Sequence, residues 1–309
     1  MRAVAALDVG GTVMKAALMT ADGDSVASDR RPTRRDEGPD AVVATIARVT
    51  ADLLAHAESL GVDVAAIGVV VPGIVDEDAG VARYSANLGW RDVPLRARLS
   101  EHVGRPVVLG HDVRAGAIAE QAVGAGRGSR TLLFVPIGTG IGGAVVRDGV
   151  ADVGSHFCAA EVGHLVVRPD GPPCGCGGRG CVESIASARA IAERYRELVG
   201  ADATLEAAAV AAAAATGDRA AAKVWDEALA ALADGLVAAI TMVDPDTIVL
   251  GGGLTHAGDA LLEPLRRAIT ARLTFQVAPR VALAELGDEA GCRGAALLAW
   301  RSLRPSEVD

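Results

Sequence analysis

Ala3-Val-Ala-Ala-Leu-Asp-Val-Gly-Gly-Thr12 carries an apolar run, one carboxylate and a glycine pair. Ala3 to Val9 reads as a buried strand, since a short unbroken apolar run bounded by turn residues suits a strand covered on both faces. Gly10-Gly11-Thr12 is a tight turn and Val13 to Met19 a return strand, so the stretch is a hairpin. The pattern recurs downstream: Thr131 to Pro136 is a strand, Gly138-Thr139-Gly140 a turn, and Ile141 to Arg147 a return strand. The echo of Leu7-Asp-Val-Gly-Gly-Thr12 in Val135-Pro-Ile-Gly-Thr-Gly140 predicts a duplicated α/β unit with a cleft between the copies.

The rest of the chain fits that alternation. A strand is expected over Ser25–Arg30, a helix over Asp40–Leu60 and an apolar strand over Ala65–Val71, stopped by Pro72-Gly73. Asp76 to Asp92 reads as loop and Val93 to Val103 as helix. A short strand at Pro106–Leu109 leads to Asp112 at the start of the next helix, up to Ala122. Helices are expected at Ser184–Val199, Leu205–Ala215, Asp218–Val243, Asp259–Leu273 and Cys292–Leu303, with strands at Thr247–Leu250 and Val281–Ala284. The alanine-rich stretch at 207–222 reads as surface helices.

Composition limits the function. The chain has 309 residues, half of them hydrophobic, which predicts two domains with sizeable cores. A net charge of -9 argues against a general nucleic-acid binder, which needs a basic surface. Aromatic residues at 3% leave few stacking platforms for single strands. The apolar runs are too short to span a bilayer, and Asp8 cuts off any signal-peptide core, so a cytoplasmic protein with no membrane partner is expected.

Three of the five cysteines, Cys174, Cys176 and Cys181, fall within eight residues, with His164 upstream. One imidazole and three thiolates make a closed tetrahedral set of the structural zinc type, and the intervening glycines let the backbone converge them. The competing reading is a disulfide from Cys174 or Cys176 to Cys181. Reducing conditions in the cytosol favour the metal. Cys158 and Cys292 read as plain core thiols. Glu161 and Glu183 flank the loop without being needed by a metal.

Three glycine turns have nucleotide-binding chemistry available to them. Backbone amides at Gly10 and Gly11 with Thr12 can approach phosphate oxygens, Asp8 could hold magnesium through water, and Lys15 could reach a transferring phosphate. Gly138, Thr139 and Gly140 could clamp the other side of a polyphosphate, and Gly251, Gly252 and Gly253 could let an adenosine lie flat at a helix start. Each is equally readable as ordinary turn punctuation, and none matches the Walker or dinucleotide patterns. Asp112 is either a helix-start aspartate favoured by the dipole or a general base. Asn87 is either a loop stabiliser or a ligand contact. His102, His156 and His256 lack any constellation.

Together these motifs resemble the ROK family (repressor, open reading frame, kinase), most like its bacterial glucokinase branch. The resemblance runs over nearly the whole chain. Its carriers are Leu7–Thr12 with Lys15, Val71-Pro-Gly73, Asn87-Leu-Gly-Trp90, Ile137–Gly143, Glu161-Val-Gly-His164, the cysteine loop and Leu250–Gly253. It implies an α/β, actin-like ATPase (ribonuclease H-like) fold, with two α/β domains around a central cleft. The expected division is a smaller domain at 1–113, with 293–309 packing back on it, and a larger one at 114–292.

The resemblance also implies ATP and Mg2+, structural Zn2+, a small-molecule sugar as partner, and a homodimer or homotetramer. Asp112 would be the base at the sugar 6-hydroxyl. Asn87, His111, Asp112, Glu161, His164 and Glu183 would hold the sugar, with His164 also on the zinc. The family's repressors carry an N-terminal winged helix-turn-helix, for which a strand starting at Ala3 leaves no room. One departure stands out: the family usually has Asn before the catalytic Asp, and here it is His111. Glucose is the expected substrate, with N-acetylmannosamine, N-acetylglucosamine or another hexose as the alternative, and a catalytically inactive sugar-binding protein as the reading from a different class. His111 is expected to shape that preference.

Overall fold

The computed structural model describes residues 1–200 and 206–303. The expected helix start at Leu205 and the chain beyond 303 lie outside them. The chain forms two compact units. One comprises 1–119, 153–158 and 288–303, the other 120–152 and 159–287 among the described residues. No helix among the described residues is long and apolar enough to cross a membrane.

The first unit is built on a five-stranded sheet in the order β3 (Ser25–Pro32), β2 (Val13–Met19), β1 (Arg2–Val9), β4 (Asp63–Val71), β8 (Val107–His111). β1 runs antiparallel to β2 and parallel to β4, as the opening hairpin and a crossover require. Strand alternation sorts the side chains by face. Ala3, Ala5, Leu7 and Val9 join a core with Ile46, Val49 and Leu53 of α1 (Pro39–Ser59). Val4 and Ala6 pack instead with Ala295, Ala296 and Ala299 of α9 (Ala290–Ser302). That helix lies so close that a β-carbon on Gly68 would strike the carbonyl of Ala295.

The stretch Asp76–Asp92, expected as loop, contains strands. β5 (Ile74–Asp76), β6 (Val81–Ser85) and β7 (Trp90–Val93) form a separate three-stranded sheet. The strands are short and their polar turns hide the alternation. Asp76 Oδ1 accepts the N–H of Ala79 at 2.9 Å to close the first turn, and Arg83 Nη2 pairs with Asp76 Oδ2 at 2.7 Å. Trp90 is buried and donates from Nε1 to the carbonyl of Pro39 at 3.1 Å, which pins the Asn87 loop.

The second unit repeats the plan. Its sheet runs β11 (Val150–Ala151), β10 (Ala144–Arg147), β9 (Thr131–Pro136), β12 (Thr247–Gly251), β13 (Arg280–Leu283). β9 is antiparallel to β10 and parallel to β12, the same arrangement as β1 with β2 and β4. The internal echo is therefore a topological repeat. The remaining helices are α2 (Leu95–Val103) and α3 (Asp112–Val123), then α4 (Val182–Ala186), α5 (Ala188–Val199), α6 (Ala207–Ala215), α7 (Arg219–Val243) and α8 (Asp259–Thr270).

Two expectations about helices change. The helix expected over Ser184–Val199 breaks at Ser187, whose extended backbone lets its side chain accept the Ala190 N–H and cap α5. The alanine-rich stretch is not a surface feature alone: Ala207, Val210, Ala211 and Ala221 are buried in the core of the second unit. Alanine fits there because its small side chain lets helices approach closely. Cys292 is buried as expected, but Cys158 is exposed, its Sγ donating to the carbonyl of His156 at 3.2 Å.

Candidate active site

In the first unit Asp8 is the penultimate residue of β1, on the α9 face, two residues beyond Ala6. A side chain on Gly291 would collide with its carboxylate. The following turn is drawn tight: Gly10 N–H donates to Val13 O at 3.0 Å, and Thr33 Oγ1 donates to Gly10 O at 2.6 Å. Thr12 is exposed. The position of a β-carbon on Gly11 lies 3.7 Å from Asn87 Cβ, so this turn and the Asn87 loop are neighbours. Lys15 Nζ donates to Asp288 O at 2.8 Å and lies 3.9 Å from the Asp8 carboxylate.

Asp112 begins α3 directly after β8. Its Oδ1 accepts the Val113 N–H at 2.7 Å and lies 3.3 Å from His111 Nε2, and 27% of its side chain is exposed. Burial pushes its pKa up to about 6, while the Val113 N–H and the Arg114 guanidinium pull against that rise. Burial also pushes Asp8 up to about 7, helped by the nearby Asp112 charge and opposed by Lys15. Two carboxylates are thus held near neutrality in one place. His111 is driven the other way, to about 3, by burial first and by Arg114 second.

Two charged residues that no motif had marked complete this cluster. Arg114 Nε donates to Glu77 Oε1 at 2.9 Å, and Glu77 Oε1 also accepts the His111 N–H at 3.2 Å. Arg114 is almost fully buried, with Nη2 donating to Val75 O at 3.2 Å. An arginine two residues past Asp112, directly before the apolar run of residues 115–119, was the available signal. Glu77 was hidden in the acidic run of residues 76–78.

In the second unit the glycine turns at 138–140 and 251–253 lie side by side. Ile137 N–H donates to Gly251 O at 2.8 Å, and Leu254 N–H donates to Ile137 O at 3.0 Å. Gly252 has φ +77, and any β-carbon there would meet the Ile137 backbone, so glycine is required. Gly253 faces open space and leads into a 3-10 turn, Gly253–Ala257, before α8 starts at Asp259. The helix expected from Asp259 begins there, one 3-10 turn beyond the glycines.

Glu161-Val-Gly-His164 folds against the same region. Side chains on Gly143 and Gly163 would strike the carbonyls of Ala160 and Ile141 respectively, so the two segments touch backbone to backbone. Glu161 and His164 are exposed at the ends of the 3-10 turn Val162–His164. Glu183, at the start of α4, accepts the Ile141 N–H on Oε2 at 2.9 Å.

The cysteine loop converges as its spacing predicts. One ligand atom from each of His164, Cys174, Cys176 and Cys181 lies within 4.8 Å of every other. His164 Nδ1 is 3.7 Å from Cys174 Sγ, and Cys176 Sγ is 3.8 Å from Cys181 Sγ. A tetrahedron with metal–sulfur bonds of about 2.3 Å has edges of about 3.8 Å, so the residues fit a zinc ion. All the cysteines are free thiols, against the disulfide reading.

These features define a chain of the actin-like ATPase fold, with a duplicated α/β plan and glycine turns at matching places. Residues 4–302 match the ROK family, and the chain belongs to it. A glucokinase of Thermotoga maritima is 34% identical over 94% of this chain and 95% of its own. An N-acetylmannosamine kinase of Escherichia fergusonii is 34% identical over 95% of this chain and 97% of its own. The crystal structure of a ROK family glucokinase from Streptomyces griseus in complex with glucose and AMPPNP superposes with a TM-score of 0.81. It is 30% identical and covers 97% of this chain and 100% of that one.

Proposed function

We infer that the protein is a sugar kinase that uses ATP to phosphorylate the 6-hydroxyl of a hexose, with glucose as the substrate. The observation that carries this is Asp112: a partly exposed carboxylate at a strand-to-helix junction, with burial raising its pKa to about 6. A base is most effective when its pKa lies near the working pH. Membership of a family with glucokinases over almost the full chain supplies the substrate class.

In this reading Asp112 takes the proton of the attacking hydroxyl. Asn87, Glu161, His164 and Glu183 hold the other hydroxyls. The turns at Gly10, Gly11 and Thr12 and at Gly138, Thr139 and Gly140 offer N–H donors to the phosphates, and Gly251, Gly252 and Gly253 accommodate the adenosine. Lys15 adds positive charge beside Asp8. Magnesium bound with the nucleotide would offset phosphate charge, and Asp8 is the side chain that would hold it through water. Its carboxylate fits that role, since burial and the nearby Asp112 leave it short of compensating positive charge. Positioning and electrostatics do most of the work in phosphoryl transfer.

We assign the four-residue cluster to structural Zn2+. Four protein ligands leave no open position, so the metal serves to orient the His164 ring. The division at 1–113 with 293–309 and 114–292, a cytoplasmic location and a homodimeric or homotetrameric state belong to the same proposal. No nucleic acid is a partner in it. A solution mass measurement tests the oligomer.

The related N-acetylmannosamine kinase supports a second reading, in which the acceptor is a 2-acetamido sugar. A coupled assay of the purified protein across glucose, mannose, N-acetylmannosamine and N-acetylglucosamine, with ATP or polyphosphate as donor, separates the two. The highest kcat/KM is expected for glucose with ATP. Turnover confined to a 2-acetamido sugar would replace glucose, and no turnover with any pair would overturn the kinase reading.

A further inference from the structure

His111 occupies the position before the proposed base, and its surroundings give it a task of its own. It is 7% exposed, so little of the ring is open to a substrate. Its Nδ1 accepts the N–H of Arg114 at 3.4 Å. With His111 preceding the first residue of α3, that is the bond an N-cap side chain makes to the third helical residue. Its Nε2 lies 3.3 Å from Asp112 Oδ1. One ring thus spans the helix end and the carboxylate.

The protonation state follows from these partners. Nδ1 accepts a hydrogen bond, so the ring proton of the neutral form sits on Nε2, the nitrogen 3.3 Å from Oδ1. Burial and Arg114 depress the pKa to about 3, which keeps the ring neutral wherever the protein is folded and active. Contacts of this kind are often long in unliganded enzymes and shorten in the reacting complex.

We propose that His111 is a positioning residue for Asp112, holding Oδ1 through Nε2–H so that Oδ2 takes the proton of the attacking hydroxyl. This rests on the reading of Asp112 as the base. It changes what the departure from the family's usual Asn does: the histidine acts through the carboxylate and not on the sugar. Charged groups on neighbouring elements act on the same pair. Asp8 from β1 and Arg114 from α3 face Asp112, and Arg114 with Glu77, from the turn after β5, faces His111.

Two substitutions separate the two jobs of the ring. The Asn amide reaches only as far as Nδ1, so His111→Asn keeps an N-cap and loses the group facing Asp112. The Gln amide reaches as far as Nε2, so His111→Gln keeps a donor to Asp112 and loses the cap. Removing a donor from a carboxylate raises its pKa. The test is a carboxyl-13C NMR titration of Asp112 in the three proteins, with thermal melting and kcat/KM against pH for several sugars.

His111→Asn is expected to raise the Asp112 pKa by about one unit, the size of one charge-assisted hydrogen bond. It should move the acid limb of kcat/KM upward equally for every sugar, with Tm near the parent's. His111→Gln is expected to keep the parent titration and lower Tm by a few degrees. An Asp112 pKa unchanged in His111→Asn would overturn the proposal, as would a change in the ranking of sugars, which marks direct sugar contact. The titration needs no turnover. A kinase reading that fails on activity therefore leaves the His111–Asp112 coupling measurable on its own.

Discussion

Glu183 Oε2 accepts the N–H of Ile141 at 2.9 Å, and its Oε1 lies 3.8 Å from Cys174 Sγ. One carboxylate therefore ties the cysteine loop to the second glycine turn. Glu183→Ala leaves the Ile141 N–H without its partner, at a cost of about 1–3 kcal/mol. Glu183→Gln keeps an acceptor and should cost less. Thermal melting of the two variants checks this: the alanine variant melts several degrees lower and the glutamine variant close to the parent.

Asp112→Asn keeps the size of the side chain and removes the proposed base. A general base contributes about 10²–10⁴-fold, so kcat is expected to fall by that range. Steady-state kinetics on the most active sugar make the measurement, and retention of full kcat would remove Asp112 from its role.

The pH profile of the parent has a predicted sign. Asp112 accepts a proton only when ionised, and its pKa stands at about 6. The rate kcat/KM is therefore level above that pH and falls as pH drops through it, by about tenfold per unit at the limb. A profile flat down to pH 5 would contradict the raised value.

Asp8 predicts a stability effect. Its folded pKa, about 7, exceeds the ordinary carboxylate value of 3.8, so the folded chain holds the proton more tightly than the unfolded one. The associated stability is fully present below pH 3.8 and is lost as pH rises through about 7. Asp8→Asn removes that loss. Without magnesium it should melt higher than the parent at pH 8, and the advantage should shrink at pH 5.

Metal analysis should find about one zinc per chain, and stripping it with a strong chelator should lower Tm. Cys181→Ser is expected to weaken zinc retention because Cys181 is a buried member of the cluster. A zinc-free protein of unchanged Tm would count against a structural metal.

Much of this was legible in the sequence because it depends on short-range spacing. The hairpin that turns at Gly10 and Gly11, its echo around Gly138 and the convergence of Cys174, Cys176 and Cys181 all follow from residues a few positions apart. The sheet of β5, β6 and β7 was missed because its strands are short and its turns are full of charge. The burial of the alanine-rich helix was missed because alanine is equally at home on a surface and in a core.

What the chain order alone determined was the kind of unit, its duplication, the candidate metal-ligand set and the aspartate at the helix start. Tertiary structure decided which distant residues share an environment. Glu77 meets Arg114 and the His111 backbone across more than thirty positions, and Glu183 meets Ile141 across forty-two. Those meetings set the electrostatics, since burial and neighbouring charge move a pKa and neither is written in local sequence. His111 shows the difference. By order it stands where its family usually has an Asn; by environment it is a buried, neutral ring between a helix end and a carboxylate.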